Sequence, residues 1–162
     1  MRTVSDAVEK YLRLPQFTVS IRRDQTRNQY AYLLRRLCSL PYEDGTVGDI
    51  PTKKLKASTC QELYYLMIEQ SQGAGVRAAN YTVQVAVRAW NVLIKHDLLD
   101  KNPWSLVERM QAAPRHTVWT NADFETILKT AFAESKWRNI GLLIRINAEL
   151  GQRAGDMRLV QW

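Results

Sequence analysis

Hydrophobic side chains in this chain recur at helical spacing, and glycine and proline fall between the periodic segments instead of inside them. Strand-like alternation is missing, so the chain is expected to be all-α. The first predicted helix covers about Val4 to Arg13 and stops before Pro15. A second, about Arg22 to Leu40, carries Thr26, Tyr30, Leu33, Leu34 and Leu37 as one stripe. Pro41, Gly45, Gly48 and Pro51 then mark a loop. A third helix, about Lys53 to Gln72, turns Cys60, Leu63, Leu66 and Met67 inward, with Gly73 and Gly75 at its end. The fourth, about Arg77 to His96, is expected to bury Val83, Val87, Trp90 and Ile94, and Leu98, Asn102 and Pro103 close the unit. Trp104 to Met110 would add a short helical turn.

Periodicity lapses from 111 to 118, which reads as a linker containing Pro114. Thr120 and Asp123 then form a capping pattern before Phe124, Ile127, Leu128, Ala131 and Phe132. The next helix, about Asn139 to Leu150, is apolar on nearly every side and calls for burial in a larger domain. Only twelve residues follow it, so this second domain is expected to be incomplete.

Lys and Arg outnumber Asp and Glu by 23 to 16, a net charge of +7, which suggests a polyanionic partner. The first ten residues resemble no secretory signal, and no run approaches the roughly 18 apolar residues of a membrane span. A cytoplasmic location follows as an expectation. Cys38 and Cys60 form no CxxC pair, and His96 and His116 stand in no ligand spacing, so neither a metal nor another cofactor is expected.

The basic residues are not scattered. Arg77, Tyr81, Gln84 and Arg88 step by four, three and four along the fourth helix, well away from its apolar face. Arginine reaches phosphates or guanine edges and glutamine pairs with adenine, so this ridge suits a DNA groove. Taken alone, it reads first as a solvated helix face, and Tyr81 is as consistent with packing as with stacking on DNA. Arg22, Arg23 and Arg27 open the second helix and Lys53 and Lys54 the third, where helix N-termini already favour anions. A phosphate-facing surface shared by three helices is therefore expected. A helical protein–protein module with an incidental basic face is the alternative from another class.

The last fourteen residues carry the most specific pattern. An apolar helix ends at Gly151, Arg153 follows, and Gly155 and Asp156 open the next segment before Val160 and Trp162. This resembles the motif Thr-Gly-x-Arg-x-Gly-Glu-x-x-x-Leu-x-Trp of phage integrases and other tyrosine recombinases. Asp replaces Glu, Val replaces Leu, and Leu150 stands in the usual threonine position. The order upstream is similar too: Thr26-x-x-x-Tyr30, then Arg77 to Asn91, Asn102-Pro103, and the capped turn at Thr120.

The resemblance implies a four-helix SAM-like core-binding bundle at 1–110, a linker at 111–118, and at 119–162 the first helices of a truncated catalytic domain. It implies DNA integration and recombination by a prophage-type enzyme through a phosphotyrosine intermediate, acting on attachment-type sites in double-stranded DNA. It also implies self-association on DNA in the intact parent, with no membrane and no small-molecule cofactor. Arg153 would be the first catalytic arginine and Asp156 a supporting acid. The family's nucleophilic tyrosine comes after this arginine, whereas all seven tyrosines here lie at or before Tyr81. The chain by itself is expected to bind DNA and not to cut it.

Overall fold

The computed structural model describes residues 2–70, 75–113 and 119–151. The chain divides into two compact units, Met1–Ala113 and Pro114–Trp162.

In the first unit α1 (Val4–Leu12) begins where Thr3 and Asp6 cap each other: the Asp6 amide donates to Thr3 Oγ1 and the Thr3 amide to Asp6 Oδ2. Val4, Ala7, Val8, Tyr11 and Leu12 follow at helical spacing and are all buried. Pro15 does not merely stop α1. It occupies the first turn of a short α2 (Pro15–Thr18), where its missing N–H costs nothing, and so places Phe17 edge-on against Tyr11, with ring centroids 5.3 Å apart. The second predicted helix is α3 (Asp24–Cys38), with Arg23 as its N-cap and Arg22 ahead of it.

The loop expected after α3 contains a minimal hairpin, β1 (Pro41–Tyr42) paired antiparallel with β2 (Gly45–Thr46). Beyond it Val47 is fully buried, and the Val4 amide donates to the Ile50 carbonyl, so the loop is tied to the start of α1. Gly48 lets the loop lie against the end of α3: a Cβ there would stand 3.0 Å from the Cys38 carbonyl oxygen.

The third helix starts later than expected. Thr52–Lys54 form one 3-10 turn, and Leu55 is extended and buried, which interrupts the helical path before α4 (Ala57–Gln70). Gly75 opens α5 (Gly75–Lys95) at φ +41° instead of ending α4, and Gly73 lies outside the described residues. α5 is the central element, packed on α1, α3 and α4. Its buried face is wider than the predicted stripe and centred elsewhere: Ala79, Val83, Ala86, Trp90 and Leu93 are buried, whereas Val87 and Ile94 are only half-buried at the rim. Small alanines at these positions allow the surrounding helices a close approach. Asp97 ends the helix at φ +54°, with the Leu98 amide returning to the Leu93 carbonyl.

Instead of a helical turn through Met110, Pro103–Leu106 form a 3-10 turn that seats Trp104 edge-on against Trp90, and the chain then runs extended. Asn102 anchors this corner by donating to the Val87 carbonyl and to Asn91 Oδ1. The Gln61 amide group pairs with both backbone groups of Glu108. Tyr64 and Asn80 hold the backbone of Met110.

In the second unit α6 (Asn121–Ala133) has the expected cap, with Thr120 and Asp123 reciprocally bonded. It crosses α7 (Arg138–Leu150) so closely that a Cβ on Gly141 would lie 2.9 Å from Ala131 Cβ. The burial expected of α7 is not met among the described residues. Gly141 is its one buried residue, and Ile140, Leu142 and Leu150 are 47%, 45% and 57% exposed. Gly151 caps α7 at φ +62°, a left-handed conformation that explains the glycine. No described helix is long and apolar enough to cross a membrane.

Candidate nucleic-acid interface

The predicted ridge on α5 is present. Arg77, Gln84 and Arg88 are exposed, and Tyr81 between them is half-buried. Tyr81 packs edge-on against Tyr30 of α3, with ring centroids 6.1 Å apart, so it serves packing and surface at once. Burial pushes its hydroxyl pKa up, and the neighbouring Tyr30 adds to the rise. Arg88 lies over the Tyr30 ring, 6.0 Å from the centroid. These two contacts join α5 to α3 at Tyr30, within the helix that Arg22 and Arg23 precede.

Within the predicted clusters the arginines differ in what they already hold. The Arg27 guanidinium donates to the carbonyls of Thr18, at 2.9 Å, and Ile21, at 3.1 Å, and pairs with Asp24. It thereby closes the turn between α2 and α3. Arg22 and Arg23, just before α3, are exposed. Arg77 Nη2 donates to the Ala113 carbonyl at 2.7 Å, so one prong of its fork holds the segment leaving the first unit.

Lys53 and Lys54 sit apart from the arginines. They line a separate groove together with Lys56 and four acids, Glu43, Asp44, Asp49 and Glu62. Tyr42 donates to Glu62 there, at 2.9 Å, and this bond is the main reason its phenol pKa is raised. Three cations among four carboxylates make a mixed surface, and the loop that carries them packs on the beginning of α1, whereas Tyr11 near the end of α1 is the residue within electrostatic reach of Arg88.

Four further residues belong with the ridge. A shallow groove is lined by Gln16 and Ser20 on one side and by Gln84, Arg88, Asn91 and Lys95 of α5 on the other. Asn91 and Lys95 were legible in principle, because they continue the step of three and four from Arg88. Gln16 and Ser20 were not, since no spacing within α5 points to a neighbouring turn. The face they complete offers amide, hydroxyl and cationic donors side by side, a combination able to hold phosphates and read base edges. Both thiols lie elsewhere: burial pushes Cys38 up to about 11 and Cys60 up to about 12, so neither is a reactive thiolate. Arg153 and Asp156 lie outside the described residues.

No family model and no curated protein matches this sequence. Two solved structures match in fold, both of the Tn1549 transposon integrase in complex with a circular intermediate DNA. One aligns with a TM-score of 0.66 at 19% identity, over 94% of this chain and 46% of that one. The other gives 0.61 at 21% identity, over 87% of this chain and 42% of its own. The all-α fold is thus shared with part of an integrase, and this chain spans less than half of each neighbour.

Proposed function

We propose that this chain is the DNA-binding portion of a site-specific tyrosine recombinase of the integrase kind, and that its own activity is binding to double-stranded DNA. The observation that carries the reading is the fold shared over 94% of the chain with an integrase solved on DNA. The ridge on α5 supports it independently, since exposed arginines beside amide side chains are what phosphate positioning and base reading require. So does the left-handed Gly151 turn, which stands where the recombinase motif has its first glycine.

On this reading, residues 1–110 form the core-binding domain, 111–118 the linker, and 119–162 the opening of a catalytic domain. Arg153 acts on the transition state. Attack on a phosphate builds extra charge on its oxygens, and a planar guanidinium offers two parallel donors to that charge. Asp156, three residues on, orients it. The nucleophile belongs to a longer protein, so this chain binds without cutting. Further chain would also cover the exposed side chains of α7. The target is an attachment-type site, with self-association in the intact enzyme and a prophage origin, in the cytoplasm of a bacterial or phage-infected cell. A helical protein–protein module is favoured by one observation only, the exposed apolar face of α7, and predicts no duplex affinity at low salt.

The test is a salt titration of duplex binding. Non-specific affinity of about 10⁻⁴ to 10⁻⁶ M is expected near physiological salt, rising steeply as salt falls. Arg77→Ala with Arg88→Ala should weaken it and flatten the log–log slope by about 0.9 for each phosphate contact removed. Equal curves for the wild type and the double variant would remove the ridge from the account.

A further inference from the structure

Tyr30 belongs to the Thr26-x-x-x-Tyr30 pattern of α3. It is half-buried at the seam between α3 and α5. Its ring meets Tyr81 edge-on and has the Arg88 guanidinium over it at 6.0 Å. Tyr11 of α1, fully buried, turns its hydroxyl toward the same arginine. Burial raises the pKa of that hydroxyl, and Arg88 acts against the rise through its charge and through hydrogen bonding. Arg88 therefore lies over the Tyr30 ring of α3, which Tyr81 of α5 meets edge-on, while its side chain stays exposed along the groove that also holds Gln16, Gln84, Asn91 and Lys95.

An arginine on an exposed helix has several rotatable bonds to immobilise when it grips a phosphate, and that ordering subtracts from affinity. A guanidinium already held against a ring has lost part of that freedom beforehand, and Arg88 remains exposed, with further N–H donors to offer. We infer that Tyr30 is a positioning residue for DNA binding, holding Arg88 over its ring so that the guanidinium edge is presented to a backbone phosphate. The inference rests on the DNA-binding reading and adds to it a residue that itself need not touch DNA.

The experiment is a double-mutant cycle on the whole chain, read by duplex affinity across a salt titration. Tyr30→Phe keeps the ring and should bind like the wild type. Tyr30→Leu keeps an apolar side chain without a π face and should weaken binding about two- to fivefold, the range of an exposed cation–π contact. In an Arg88→Ala background the same Tyr30→Leu change should have no further effect. Thermal melts check that the variants are folded, and NMR of the free chain supplies a readout that does not involve DNA. The Arg88 side-chain protons should show a ring-current shift that survives in Tyr30→Phe and disappears in Tyr30→Leu. An equal loss from Tyr30→Leu with and without Arg88, or an unshifted Arg88 in the wild type, would overturn the inference alone. No duplex binding by the wild-type chain would overturn the functional reading and this inference together.

Discussion

The two units of this chain use the same helix-building rules and reach different ends. In the first, α1, α3, α4 and the Pro103–Leu106 turn pack on α5, and the unit's largest buried side chains, Trp90 and Trp104, are each 1% exposed. In the second, α6 and α7 pack on each other across Gly141, yet Leu128 and Ala131 are the buried residues of α6 and Gly141 that of α7. Local signals are equally good in both: each opens with a Thr–Asp capping box. What differs is the apolar surface removed from water, the dominant favourable term in folding. Capping defines where a helix begins, and burial decides how firmly it stays.

This contrast predicts its own tests. The largest effect should come from Trp90→Ala, which removes a buried indole and its contact with Trp104 and should cost about 3–5 kcal/mol in a denaturant melt of the whole chain. Leu128→Ala should cost well under that, because its surroundings are partly open. If the two losses are similar, the second unit is held together better than its exposure indicates.

Next come the close-approach glycines. Gly48→Ala forces a methyl against the Cys38 carbonyl and should destabilise the first unit by about 1–3 kcal/mol. Gly141→Ala meets Ala131 at shorter range, but its consequence should be local, visible as faster amide exchange in α6 and α7 with little change in the main melting transition. A main transition lowered equally by both would erase the distinction between the units.

The caps allow a matched comparison. Thr3→Ala and Thr120→Ala each remove a side-chain acceptor and should cost about 1 kcal/mol where the helix is part of a cooperative core. The first should therefore lower the main transition and the second chiefly fray α6. Hydrogen bonds from the Thr side chain and backbone hold Asp123 below the ordinary carboxylate range, and backbone bonds do the same for Asp6. Both contributions are present above the unfolded pKa and are lost as the pH falls through the depressed folded value. Acidification should thus weaken both helix starts.

Alkali should affect the first unit selectively. Both cysteines lie there, and their folded pKa values of about 11 and about 12 exceed the ordinary 9.0. Their contribution is intact below pH 9 and is lost progressively as the pH rises toward the folded values, because only the unfolded chain ionises them readily. Replacing Cys38 and Cys60 with Ala should flatten this part of the stability–pH curve; an unchanged slope would mean that the thiols are more accessible than their burial implies. The smallest effect is expected from Arg153→Ala. On the proposed function Arg153 acts mainly on transition-state charge and adds little to ground-state binding, so duplex affinity should stay nearly the same. A large loss would make Arg153 a binding residue.

Much of this was legible from residue spacing. The caps at Thr120 and Asp123, the inward stripe through Leu34, Leu37, Cys60, Leu63 and Met67, and the ridge of Arg77, Gln84 and Arg88 all follow from helical geometry. Spacing could not show what tertiary contact decides. Val87 and Val83 have the same side chain, and only the position of neighbouring helices makes one half-buried and the other buried. Leu55 ends the lysine-bearing turn because it is drawn into the core, a long-range cause invisible in Lys53 and Lys54. The charge of Arg27 is visible in the sequence, but the Thr18 and Ile21 carbonyls it holds come from a turn whose path the sequence does not announce.

The most direct test of the account is an amide NMR map of the whole chain with and without a short duplex at low salt. The account predicts perturbations along Arg77–Lys95 of α5, at Gln16 and Ser20, and at Arg22 and Arg23, with the groove around Lys53 and Lys54 nearly silent. Perturbations confined to that lysine groove or to the apolar face of α7, or none at all, would contradict it.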